Sequence, residues 1–142
     1  MSLFEEDYNY VSVQSILIPQ GLKNIGTGVF MGVKAYENND LKIPSGVCVI
    51  DDYCFYDSSI TSVEFPKNPI KLGHYSFSKC PITYIKFPKT MDFDHIKNGG
   101  SFGCFSEIPN KVTVEFAEGV KAIPAFCFKN TKLNPVTFPN SL

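Results

Sequence analysis

The sequence predicts a mainly β repeat solenoid of about five to six turns carrying a short-stranded parallel sheet, and three observations point there. A seven-residue phrase running from Ile60 through Val63 and Phe65 to Pro66 returns 22 residues later through Ile82, Ile85, Phe87 and Pro88. The phrase ends at Pro19, Pro44, Pro66, Pro88, Ala117 and Pro139, in steps of 25, 22, 22, 29 and 22 residues. Between the phrases, apolar residues recur at fixed offsets. Repetition at this period belongs to coils in which each unit buries its apolar face only against its neighbours.

The composition is compatible with such a coil and narrows its partners. The chain has 142 residues, 44% of them apolar, with thirteen Phe, enough for one continuous core. Thirteen basic against fourteen acidic side chains leave a net charge near −1, which argues against a surface built to neutralise nucleic-acid phosphates or anionic lipid. Every basic residue is Lys. Without Arg, the bidentate fork suited to phosphate is missing, a second mark against a nucleic-acid or nucleotide reader. No apolar run approaches a membrane span, so no membrane insertion is expected. The first residues, Met1 to Asp7, are acidic where a signal peptide is basic, so no signal peptide is read in this chain.

Taken in order, residues 1–12 fall outside the repeat and read as an N-terminal cap or tail, with Phe4, Tyr8 and Tyr10 available to cover the first turn. The solenoid reads as 13–142, with units starting near residues 13, 38, 60, 82, 111 and 133. After Pro19 come Leu22, Ile25 and Phe30, at offsets +3, +6 and +11. The second unit repeats them as Val47, Ile50 and Phe55, with three residues gained in a polar bulge from Tyr36 to Asp40. The third supplies Ile70, Leu72 and Phe77, and the fifth Val120, Ile123 and Phe128. These residues are the expected core, with Phe55, Phe77 and Phe128 stacked upon one another. The fourth unit is seven residues longer and places its aromatic late, so an irregular loop is expected near 97–103. Val136 to Pro139 open a sixth unit as a strand with an uncovered outer edge, from which end-to-end self-association is expected.

The phrase is apolar-x-x-apolar-x-apolar, the spacing of a leucine-rich-repeat strand, and its closing proline lacks the N–H that would extend the ladder. The return segment is too short for a long helix; a second short strand or one helical turn would fill it. The units resemble the BspA-like leucine-rich repeat across about residues 13–142. Ile25-Gly26 and Leu72-Gly73 keep that family's glycine, Phe30, Phe55, Phe77 and Phe128 its aromatic, and Cys80 its cysteine. The resemblance implies a leucine-rich-repeat right-handed coil without catalytic residues. It also implies a cell-surface or secreted protein used in adhesion to host or neighbouring-cell surface proteins.

Candidate chemistry outside that reading is sparse. Cys48, Cys54, Cys80, Cys104 and Cys127 show no C-x-x-C pair; they read as small buried hydrophobes, with a disulfide between stacked turns or metal binding as alternatives. His74 precedes Cys80 and His95 precedes Cys104, but neither pair recurs with an orienting carboxylate, so neither a catalytic nor a metal site is assigned. The glycines at 26–28 and 99–103 have no following Lys-Ser/Thr and read as turns, so no cofactor is implied. There is no Asn-x-Ser/Thr sequon.

The expected binding face is the outward side of the phrase strands. Between the second and third apolar positions stand Leu17, Lys42, Glu64, Lys86, Glu115 and Thr137, one column whose four central members alternate in sign. With Thr61, Ser62, Thr83 and Tyr84 they make a polar face for a protein ligand, Tyr84 being the anchor because it is large, rigid and amphipathic. The alternative functions are a structural spacer within a longer array, or an intracellular protein-binding adaptor.

Overall fold

Each turn of the coil has three sides, and each side has its own cause in the sequence. A computed structural model describes residues 11–91, 103–120 and 127–140. Among these, nine short strands are ordered β1 (Ser12–Ser15), β2 (Asn24–Ile25), β3 (Lys34–Asn38), β4 (Asp40–Lys42), β5 (Val49–Ile50), β6 (Ser62–Glu64), β7 (Lys71–Leu72), β8 (Tyr84–Phe87) and β9 (Thr113–Phe116). All pairings are parallel, and there is no helix among the described residues: the chain is a mainly β parallel solenoid.

The first side is the phrase. β4, β6, β8 and β9 form a four-stranded sheet in that order, so three successive turns are joined by β4–β6, β6–β8 and β8–β9. Along these strands Leu41, Val63, Ile85 and Val114 point inward and are buried, while Lys42, Glu64, Lys86 and Glu115 point out. Strand alternation with period two puts one set of side chains in the core and the other on the surface. Pro88 directly follows β8, and Pro44 and Pro66 come two residues after β4 and β6, where a backbone donor is no longer available.

The second side resolves the open reading of the return segment. It is a second short strand: β2, β5 and β7 form a three-stranded parallel ribbon pairing Ile25, Ile50 and Leu72, all buried. Here Gly73 lets two turns approach closely, since a Cβ on it would overlap the backbone nitrogen of Asp52.

The third side carries the aromatic. It is a tight turn flanked by left-handed residues four apart, Tyr53 and Asp57, Tyr75 and Lys79, and Gly103 and Glu107. Between them the backbone is laddered from turn to turn: the N–H of Phe30 donates to the carbonyl of Cys54 (2.8 Å), Phe55 to Ser76 (2.8 Å), Phe77 to Cys104 (2.8 Å) and Phe105 to Cys127 (2.9 Å). The rings stack in the same order, Phe30–Phe55 at 5.2 Å, Phe55–Phe77 at 5.1 Å, Phe77–Phe105 at 5.2 Å and Phe105–Phe128 at 5.8 Å.

Five expectations need correcting. Leu22, expected in the core, is exposed. Phe128 does not sit directly on Phe77: Phe105, the late aromatic of the fourth unit, lies between them, and Phe128 is only half-buried. The long unit therefore rejoins the register. Twelve residues separate Met91 from Gly103 where five separate the equivalent Ile70 and Tyr75, so the surplus falls between them. Residues 97–102 of the expected loop lie outside the described residues, but Gly103, at its end, is already buried in the stack, with its left-handed φ of 63°. Next, β1 pairs with β3 and not with β4: Val13 faces Ala35, not Asn38, and a one-residue bulge precedes Ser15↔Asn38. The polar residues Tyr36 to Asn38 are thereby part of a strand, not an extruded bulge, because β1 offers them a backbone partner. Finally, Val136 to Pro139 are not a strand. Val112 and Leu133 form an isolated bridge, with the Asn134 N–H donating to Val112 O, and the pairing goes no further. Residues 1–10, Ile123 and His95 lie outside the described residues.

Candidate functional site

The outward face of the four-stranded sheet is built by register. Lys42 pairs with Glu64 and Lys86 with Glu115, while Val63↔Ile85 keeps Glu64 beside Lys86. The four charged members of the column therefore follow one another across the strands. All are exposed, and none reaches salt-bridge distance of another. Leu17 is 77% exposed and outside any strand, and Thr137 lies beyond Pro135, so neither end of the column has strand pairing.

A second column runs beside the first, Asp40–Ser62–Tyr84–Thr113. Three of its members are tied to one another or to the first: the Ser62 hydroxyl donates to Asp40 Oδ1 at 2.6 Å, and the Tyr84 hydroxyl donates to Glu115 Oε2 at 2.7 Å; Thr113 instead accepts from the Asn134 amide. That bond to the Glu115 carboxylate, helped by partial burial, holds the Tyr84 phenol above its ordinary pKa, so Tyr84 stays a neutral donor. The bond ties the Tyr84 side chain across β8 and β9.

Above these strands lies a groove of about 900 Å³. It runs over the backbone of Leu41 and Val63, whose side chains point into the core, and is lined by Lys42, Ser62, Glu64, Phe65, Tyr84, Lys86, Pro88 and Ala117 among others. Thr61 and Thr83 do not line it. They precede β6 and β8, where the Thr61 N–H donates to Asn39 O and the Thr83 N–H to Thr61 O, both at 2.9 Å. Glu115 borders a neighbouring hollow of about 830 Å³ that shares Lys86 and Ala117 with the groove and ends at Phe138.

Sequence reasoning missed Asp40, Lys67 and Lys89, which also line the groove. A signal for two of them was present, since Lys67 and Lys89 each follow the strand-closing proline at the same offset.

The comparisons with known proteins agree with this architecture. A family model described as the BspA type leucine rich repeat region matches residues 34–142 in six copies. The chain belongs to that family. Comparison with curated proteins and with solved structures finds no match. BspA-type repeats form a scaffold kind of fold, and leucine-rich solenoids in general present extended surfaces to other proteins.

In this BspA-type chain four of the five thiols face inward. Cys54, Cys80, Cys104 and Cys127 are buried and Cys48 is exposed, and none of the five is in a disulfide. Cys80 donates to Phe55 O at 3.0 Å and lies 3.3 Å from the Ser58 hydroxyl. Burial pushes the Cys54 and Cys80 thiols up to about 12, which keeps them protonated and unreactive. No helix among the described residues is long and apolar enough to cross a membrane.

Proposed function

We propose that this chain is a non-enzymatic repeat scaffold that binds a protein ligand through the groove over β4, β6 and β8, as part of a surface or secreted adhesin-like protein. The groove itself carries the reading: charged and hydroxyl groups line it beside Phe65, Pro88 and Ala117, and the half-buried Tyr84 donates to Glu115 at its side. A large aromatic with a fixed rotamer loses little entropy on binding, which is why such residues dominate interface energetics. A right-handed coil of five to six turns would present this face across adjacent units, and the six family copies support that count. End-to-end association through exposed Phe138, stacked on Phe116 at 5.9 Å, belongs to the same reading; its check is sedimentation at rising concentration.

The experiment is adhesion of the purified chain to host-cell or neighbouring-cell surfaces, comparing wild type with Tyr84→Ala and, as a control away from the groove, Tyr36→Ala. The expected result is adhesion weakened only by Tyr84→Ala, with both variants as stable as wild type. Undiminished adhesion of Tyr84→Ala would move the binding face elsewhere.

A further inference from the structure

The cysteines are not equivalent, and the ladders of the coil sort them. The residue just before each phenylalanine of the aromatic ladder forms a column, Val29, Cys54, Ser76, Cys104 and Cys127 in successive turns. Ser76 separates Cys54 from Cys104. Cys80 belongs to another column, beside the Ser58 hydroxyl at 3.3 Å, and the exposed Cys48 stands in the β5 ribbon between Lys23 and Ile70. Among the described residues, Cys104 and Cys127 are therefore the one cysteine pair stacked turn on turn.

Their geometry fits a covalent link. The Phe77 N–H donates to the Cys104 carbonyl at 2.8 Å and the Phe105 N–H to the Cys127 carbonyl at 2.9 Å, so backbone bonds hold both cysteines in register. Strands laddered in this way lie about 4.8 Å apart, inside the Cα separation of roughly 4.4–6.8 Å that a disulfide spans. Both side chains are fully buried, and their thiols are hydrogen-bonded to each other. The Cys104 thiol also donates to the Gly73 carbonyl at 3.6 Å, which leaves its sulfur to accept from Cys127. Burial, then that bond, holds the Cys127 thiol well above its ordinary pKa, so it stays protonated while the coil is closed. The turn it belongs to is the one least held. Its Phe128 is the outermost described ring of the ladder and is only half-buried, and such end turns open more readily than the turns they cover.

We propose that Cys104 and Cys127 are a disulfide site, closed by exchange with a disulfide-bearing oxidant while the end turn is open, that staples the turn of Phe128 to the turn of Phe105. One thiolate of the pair attacks a sulfur of the oxidant, leaving a mixed disulfide and releasing half of the oxidant as a thiol. The second thiolate attacks the protein sulfur of that mixed disulfide and releases the other half. The two protein thiols give up two electrons and two protons, and the oxidant takes up both as two thiols. The new bond closes a loop around one whole turn, so the outermost ring is held covalently as well as by stacking. In an oxidising setting the bond is present; in a reducing compartment the pair remains as thiols.

The test is refolding of the full chain in a buffer of reduced and oxidised glutathione, with an acid quench, alkylation in denaturant, digestion after lysine and mass spectrometry. Digestion places Cys104 in the peptide 98–111 and Cys127 in the peptide 122–129, so the bond joins two separable fragments. The expected product is that linked pair with Cys48, Cys54 and Cys80 alkylated, and a urea midpoint about 1 M above that of the reduced chain. Dithiothreitol should return the midpoint to the reduced value. Cys127→Ala should abolish the shift, and Cys54→Ala should retain it. The linked peptide is read on the wild-type chain, so the outcome stands even where a variant fails to fold. A refolded chain with every cysteine alkylated, a bond through any other pair, or a linked chain that unfolds at lower urea than the reduced one would overturn the proposal.

Discussion

Phe87 and Phe138 close the same phrase, yet Phe87 is fully buried and Phe138 is 59% exposed. Phe87 stacks between Phe65 at 6.2 Å and Phe116 at 5.4 Å, and meets the edges of Phe105 and Phe128 at 5.6 and 6.0 Å. Phe138 has Phe116 on one side, and no described ring on the other. The difference teaches that a residue's environment in this fold is set by its neighbouring turns and not by its own unit. The same lesson applies to Phe55, Phe77 and Phe105 against Phe30 and Phe128: the three inner rings of the ladder are fully buried and the outer two half-buried.

The contrast can be broken at its centre first. Phe77→Ala removes a ring stacked on both faces and should lower unfolding free energy by about 3–5 kcal/mol in chemical denaturation. A loss below about 1 kcal/mol would show that the ladder does not carry the core. Gly73→Ala attacks the contact between turns directly. Because the added methyl must displace Asp52 backbone, a loss of about 1–3 kcal/mol is expected; a neutral effect would mean that the turns at β5 and β7 can separate cheaply.

Alkaline titration sharpens the comparison between interior and surface. The Cys54 and Cys80 thiols are raised to about 12 by burial, so the native state holds these protons more tightly than the unfolded chain. Their contribution is complete below the unfolded thiol value of 9.0 and is lost as pH rises toward 12, at about 1.4 kcal/mol per pH unit for each thiol. Stability should therefore fall above pH 9, and less steeply in the Cys54→Ala, Cys80→Ala double variant. Identical alkaline profiles would count against buried protonated thiols. At the outer surface the effect should be smallest: Glu64→Lys places three lysines in succession on exposed strands and should lower stability by less than about 1 kcal/mol, less in high salt.

Much of the fold was legible because the physical constraint repeats. A period of 22 with apolar residues at equal offsets leaves little freedom, and the pairs Ile50↔Leu72 and Val63↔Ile85 are those the offsets require. Where the period broke, so did the reading. The fourth unit looked out of register because counting from Pro88 cannot see that Phe105 returns to the ladder after a detour. At the first turn, counting 25 residues from Pro19 to Pro44 hid a pairing of Val13 with Ala35 and a bulge. The last phrase keeps the apolar pattern, yet its pairing with β9 ends at Asn134, whose N–H donates to Val112 O. For the candidate site, strand alternation placed Lys42, Glu64, Lys86 and Glu115 correctly on one face. It could not place Lys67 and Lys89, because residues beyond the strand-closing proline obey no alternation, and only the coil's path brings them to the groove.

The most direct measurement of turn-supplied burial compares Phe87→Ala with Phe138→Ala in parallel denaturant titrations at low protein concentration. The expected result is a loss of about 3–5 kcal/mol for Phe87 and under about 1 kcal/mol for Phe138. Equal losses at the two positions would contradict the account, for they would mean that each phrase carries its own stability irrespective of what is stacked on it.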